Sequence, residues 1–172
     1  MTADDFASSM GAEAAFELDS SHARIQHCLA QLSDDQLWQR PAPDMNSIGN
    51  LILHLCGNVR QWIIAGLGNQ PDIRNRPLEF SECGPIAKSE LLRRLDATVQ
   101  EAKRVLEGQK AAQLLAVRRI QGSDLNGLRA LFNSVPHFHG HTQEIVHMTR
   151  RILGDAYQFA WEPATPEEGA PT

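Results

Sequence analysis

The sequence predicts an all-α chain folded as a four-helix bundle, with a long loop after the second helix and an irregular C-terminal tail. Three observations carry the prediction. Apolar residues recur at helical spacing in four segments. Capping candidates stand before the second and last segments, at Asn46, Ser47 and Asp124, and glycines at their ends, at Gly66, Gly68 and Gly154. Between the second and third segments, Gly68 to Ala87 holds Pro71, Pro77, Gly84 and Pro85, which punctuate a long connection.

In chain order, a first helix is expected over Ala12 to Leu32, with Phe16, Ile25, Leu29 and Leu32 on its apolar stripe. Ser33-Asp34-Asp35-Gln36 has the form of a capping box, so a short helical turn through Trp38 follows, stopped by Pro41 and Pro43. Asn46 and Ser47 are the N-cap candidates for a second helix running from Ile48 to about Leu67, with Gly66 and Gly68 at its end. Loops as long as Gly68 to Ala87 are often functional in compact domains. Leu91, Leu92, Leu95, Val99 and Leu106 mark a third helix from Lys88 to Glu107. Leu114 to Ile120 is ambiguous and is compatible with an extended piece before Gly122. Asp124 is the expected cap of a last helix that contains Pro136 and ends at Leu153, before Gly154. The tail, 155–172, is rich in Pro, Glu and Gly; Tyr157, Phe159 and Trp161 alternate in it, as in a strand packed on the bundle. Residues 1–172 are expected to form one domain with its core over about 12–154, a size that buries a sizeable core without staples.

Composition narrows the function. The chain is 42% hydrophobic and 22% charged, which argues against wholesale disorder. Its formal net charge of −5, with basic pairs scattered at Arg93-Arg94, Arg118-Arg119 and Arg150-Arg151, leaves no footprint for nucleic acid. The stretch from Ile48 to Leu67 is broken by Asn50, His54, Asn58, Arg60 and Gln61, so it is no membrane span. Cys28, Cys56 and Cys83 form no disulfide framework, and the N-terminus has no basic region followed by an apolar core; a cytoplasmic location is expected. No Gly-rich phosphate loop, Cys-x-x-Cys pair or Gly-x-Ser-x-Gly elbow is present.

Histidines are the chemistry-bearing feature. His137 and His141 are four residues apart in a helix, so their directions differ by about 40° and one ion can take both. Their stripe continues through Ala130 and Ser134 on one side and Glu144, Met148 and Ile152 on the other; His139 points away and His147 sits at the rim. Spacing alone leaves two surface histidines as the competing interpretation. His54 shares a face with Ser47, Asn50, Asn58 and Gln61, which is either a solvent face or a buried polar stripe without charges. Cys56 points away from His54 and reads as a small core residue. His22 and His27, five apart, read as structural.

The run Ser47-Ile-Gly-Asn-Leu-Ile-Leu-His54-Leu-Cys-Gly-Asn-Val-Arg-Gln-Trp62 resembles the second-helix motif of the DinB-like (YfiT-like) superfamily. His137-Phe-His-Gly-His141-Thr-Gln-Glu-Ile145 is similar to that family's last-helix motif, and Arg74-Asn-Arg76-Pro-Leu-Glu79-Phe80 to the loop after helix two in one branch. The resemblance spans most of the chain and implies a four-helix bundle with a three-histidine metal site: His54, His137 and His141. One departure is Gln143-Glu144, where the family commonly has Gly then Gln. Glu144 shares the histidine face, and it either orients a ligand imidazole, accepts a proton or makes a surface ion pair.

Three neutral imidazoles leave a divalent ion charged and open to a further ligand, as in catalytic sites. The resemblance implies transferases and isomerases that use small cytosolic thiols, alongside proteins of unassigned role. The expectation is therefore an enzyme with one divalent transition metal, zinc or nickel, that activates a water or a low-molecular-weight thiol toward a small-molecule substrate: a hydrolase or a thiol transferase. Glu144, Asn50 and Asn58 are its candidate catalytic helpers. The alternative is a non-catalytic metal-binding or stress-response module. A homodimer is expected, with no nucleic-acid or membrane partner.

Overall fold

The computed structural model describes residues 1–160. Four long helices carry the fold: α1 (Ala3–Ala30), α3 (Ile48–Val59), α5 (Lys88–Glu107) and α7 (Gly127–Leu153). Helix α1 packs on α5 and α7, and α3 packs on the same two from the other side, so the four share one apolar core. Leu18, Ile25, Leu55, Leu95 and Ile145 lie at its centre with no exposed surface. No described helix is long and apolar enough to cross a membrane.

Local chemistry accounts for the ends of these helices. Helix α1 starts nine residues before its expected boundary, because Thr2 and Asp5 form a capping box there. Phe16, expected on the buried stripe, is instead 64% exposed. The short helix α2 (Asp34–Trp38) has the expected box between Ser33 and Gln36. Of the two candidates, Ser47 caps α3, with Asn50 closing the box, and the cap is completely buried. Beyond Val59 the helix widens to π geometry over Arg60–Ala65, which brings the expected second helix close to its predicted end. Helix α5 has the expected limits.

The loop after helix two is not structureless. It contains a helix, α4 (Arg76–Ser81), packed on α3. The ambiguous stretch resolves into α6 (Ala111–Leu115) and a hairpin of β1 (Val117–Ile120) and β2 (Ser123–Asn126). Val117 pairs with Asn126 and Ile120 with Ser123. Gln121 and Gly122 turn the hairpin with φ of 49° and 80°, the left-handed pair that a tight antiparallel turn demands. Asp124 therefore lies in β2, pairing with Arg119, and Asn126 caps α7 in its place. Helix α7 passes through Pro136 and stops at Gly154. In the tail, Tyr157 packs against the core and Gln158 is tied to Gln31 and His27; Trp161 lies outside the described residues.

Candidate metal centre

The polar side of α3 faces inward. Asn50 has no exposed surface, while His54 and Asn58 are each 6% exposed, so the polar stripe is a buried one. Opposite it, α7 presents His137 and His141. The ligand-capable nitrogens of His54, His137 and His141 lie within 4.8 Å of one another. Their rings are mutually edge-on, with centroids 4.5 to 5.2 Å apart. His54 Nε2 is 2.9 Å from His137 Nε2, a spacing at which two nitrogens share one proton or face one cation.

A carboxylate from the loop after helix two, marked by the resemblance but given no role there, organises this cluster. Glu79 of α4 is buried, and its Oε2 accepts a hydrogen bond from His54 Nδ1 at 2.8 Å. That bond assigns the His54 proton to Nδ1 and leaves the Nε2 lone pair pointing at the other histidines. Arg74 grips Glu79 with one edge of its guanidinium, Nε to Oε1 at 2.7 Å and Nη2 to Oε2 at 2.8 Å. Burial alone would raise the Glu79 pKa, but hydrogen bonds from Arg74 and His54 outweigh it and hold the carboxyl below its ordinary range.

Backbone placement explains why Glu79 arrives here. The Asn50 side chain donates to the carbonyls of Glu79 and Glu82 at 3.0 and 2.8 Å, lashing α4 to α3. Its Oδ1 accepts from the Ser47 amide and hydroxyl. Gly57 leaves the gap into which the Glu79 carboxylate fits, since a Cβ there would collide with it and sit 3.0 Å from Arg74 Nε. A glycine three residues after His54 on a helical face was a local signal of a group docking beside that histidine.

His137 is half-buried and titrates at about 4. Burial is the main cause, followed by the positive charge of His141, His54, Arg74 and Arg76. It is therefore neutral near pH 7. His141 donates from Nδ1 to Glu144 Oε2 at 2.7 Å across one helical turn, with Glu144 43% exposed. Of the three roles open for Glu144, the structure shows the imidazole contact. Asn58 accepts from the Ser134 hydroxyl at 2.9 Å. Phe80 leans on His54 with centroids 5.0 Å apart. Trp62 is buried and lines a cavity of about 180 Å³ beside the cluster, together with His54, His137, Asn58 and Arg74.

The other histidines and cysteines lie elsewhere. His139 is half-buried and His147 exposed on α7. His27 bonds the Gln158 carbonyl, and His22 is buried beneath α5. Burial pushes the Cys56 thiol up to about 11 and raises Cys28, so neither is a ready nucleophile.

Comparison with known proteins agrees with this architecture. The chain is similar to a conserved protein of Enterococcus faecalis, with TM-score 0.68 and 21% identity over 82% of this chain and 95% of the other. It is also similar to a DinB-like protein from Bacillus cereus, with TM-score 0.61 and 15% identity over 77% of this chain and 85% of the other. At these identities the likeness shows the fold, which is the DinB-like helical fold that the histidine motifs implied. No curated protein matches the chain. Residues 5–163 match the model of a family described as protein of unknown function (DUF1572), and the chain belongs to that family.

Proposed function

We propose that this protein is a metal-dependent enzyme whose His54, His137 and His141 hold one divalent transition metal, zinc or nickel. The carrying observation is the convergence of three imidazoles, two of which have a carboxylate on the far nitrogen. Carboxylate-backed histidine is the recurrent arrangement of protein metal ligands, because it fixes the tautomer and strengthens the donor. Three neutral donors fit zinc or nickel and leave a coordination position for a small molecule. When bound, such an ion lowers the pKa of a coordinated water or thiol to near neutrality.

The chain's own groups do the rest. Glu79 holds the His54 ring and proton, and Arg74 keeps Glu79 ionised. Glu144 orients His141. Asn50 is a positioning residue, holding α4 in place. Asn58 faces the cavity, and its amide nitrogen is without a partner among the described residues, so it is the candidate donor to substrate. The reaction class is hydrolysis, or transfer of a low-molecular-weight thiol, on a small-molecule substrate. Elemental mass spectrometry of untagged protein tests the site. About one metal per chain, lost in His54→Ala and His141→Ala, is expected. No metal in the native protein, and none taken up from added zinc or nickel, would sink it.

A second reading, a non-catalytic metal-binding or stress-response module, draws support from the cavity's size. At about 180 Å³ it is below the range of about 300–1,000 Å³ of ordinary ligand pockets. Screening the metal-loaded protein for hydrolysis and thiol transfer separates the two readings. We also assign the chain to the cytoplasm, where its three free cysteines would stay reduced. As for partners, the groove between α1 and α7, lined by Phe6, Met10, Leu131 and Phe132, is almost wholly apolar, and Phe6 and Phe132 are 58% and 67% exposed. A homodimer would cover it with the same surface of a second copy.

A further inference from the structure

The cavity beside the histidines has an uneven lining. His54 and His137 form one side, and Arg76, Gln121 and Asn133 contribute hydrogen-bond donors around it; among the described residues no carboxylate lines it. Glu79 stands behind His54, and its oxygens are taken by Arg74 and His54. Arg74 is thereby neutralised. Arg76 is not: among the described residues no carboxylate pairs with it. Its guanidinium lies 4.9 Å from the Phe80 ring centroid, and Phe80 in turn rests on His54. Stacking on a ring face holds a guanidinium in place while leaving its N–H edges free, which is how arginine presents a fork to a carboxylate.

Two amides flank it. Among the described residues, neither the Asn133 side chain nor that of Gln121 makes a hydrogen bond. Gln121 occupies the left-handed region at the hairpin tip, with φ of 49°. The chain as a whole carries −5, so general electrostatics would repel an anion, and a local set of donors has to attract it.

We propose that Arg76, assisted by Gln121 and Asn133, is a carboxylate-binding subsite, and that the substrate is a small carboxylate whose other end reaches His54, His137 and His141. The proposal rests on the metal reading of that cluster. A cavity of about 180 Å³, room for about six waters at their liquid volume of about 30 Å³ each, suits an acid of a few carbons.

Calorimetric titration of 3-mercaptopropionate and 3-mercaptopropionamide into zinc-loaded protein tests it, with bound zinc counted in every sample. The acid should bind at least tenfold more tightly than its amide, and Arg76→Gln should abolish that preference at unchanged zinc content. Equal binding of the two by the wild type, or a preference that survives Arg76→Gln, overturns the subsite. A wild-type protein that takes up no zinc would defeat the metal reading instead. Propionate and propionamide, titrated into that protein and followed by NMR, then decide the subsite by the same comparison between wild type and Arg76→Gln.

Discussion

His54 and Glu79, separated by 25 positions in sequence, meet at 2.8 Å in a buried contact that selects the tautomer of the histidine. The first prediction follows from removing the carboxylate. Glu79→Gln should weaken metal affinity by about 10- to 100-fold, the usual effect of losing a partner behind a ligand. Competition with a chromophoric chelator measures it. Glu79→Ala should also destabilise the fold by about 3–5 kcal/mol, because the Arg74 side chain, 3% exposed, would be left as an unpaired buried charge. Affinity unchanged in Glu79→Gln would mean that His54 needs no orienting group.

Acid should loosen the fold through His137 and His22. The folded pKa of His137, about 4, is below the ordinary value of 6.5. Between those values the unfolded chain binds more protons than the folded one, so stability rises with pH through the window and falls on acidification from about 6.5 to about 4. His22, lowered mainly by burial, acts in the same direction. Glu79, with its pKa depressed, adds a further loss below its ordinary range. Denaturant titrations of metal-free wild type and His137→Asn across this window should show a shallower slope in the variant; equal slopes would exclude His137 as a source.

Two helix glycines should respond to alanine with opposite signs. At Gly140 a Cβ meets nothing within 4 Å, so Gly140→Ala should stabilise α7 by about 0.5–1 kcal/mol through helix propensity. At Gly57 the same substitution drives a methyl into the Glu79 carboxylate, with Cδ at 2.7 Å. That clash exceeds the propensity gain, so Gly57→Ala should lower both thermal stability and metal affinity. Parallel melting curves and metal titrations give the comparison.

Asn50→Ala removes two of the bonds that hold α4 against α3 and half of a buried capping box. A loss of about 1–3 kcal/mol is expected for the buried groups left unpaired. Metal affinity should fall as well, although Asn50 touches none of the three histidines, because α4 carries Glu79. If affinity survives while stability drops, α4 is held by other contacts.

Phe132→Glu places a charge in the apolar groove between α1 and α7. Sedimentation velocity should show dimers for the wild type and monomers for the variant, with metal content unchanged. A monomeric wild type would rule out the homodimer directly.

Much of this molecule was legible from its sequence. The limits of α5, the Ser33 and Ser47 capping boxes and the stop at Gly154 are set by interactions spanning a few residues, which sequence spacing encodes. The i, i+4 placement of His137 and His141 is helical geometry and nothing more. Other details were decided by longer-range contacts. Spacing left the face of His54 open between solvent and interior; the packing of α4 and α7 against α3 made it interior. Asp124 looked like a helix cap until the hairpin claimed it.

By itself, then, the sequence determined the helices, their order and the histidines that share a face, because hydrogen bonds between near neighbours and helical periodicity are local. Only the tertiary structure decided what stands behind those histidines. Glu79 reaches His54 because Asn50 binds the carbonyls of a loop about thirty residues away and Gly57 leaves room for a carboxylate. Contacts of that kind have no period, since an irregular stretch separates α4 from the helix before it, and they come into being only when the helices pack.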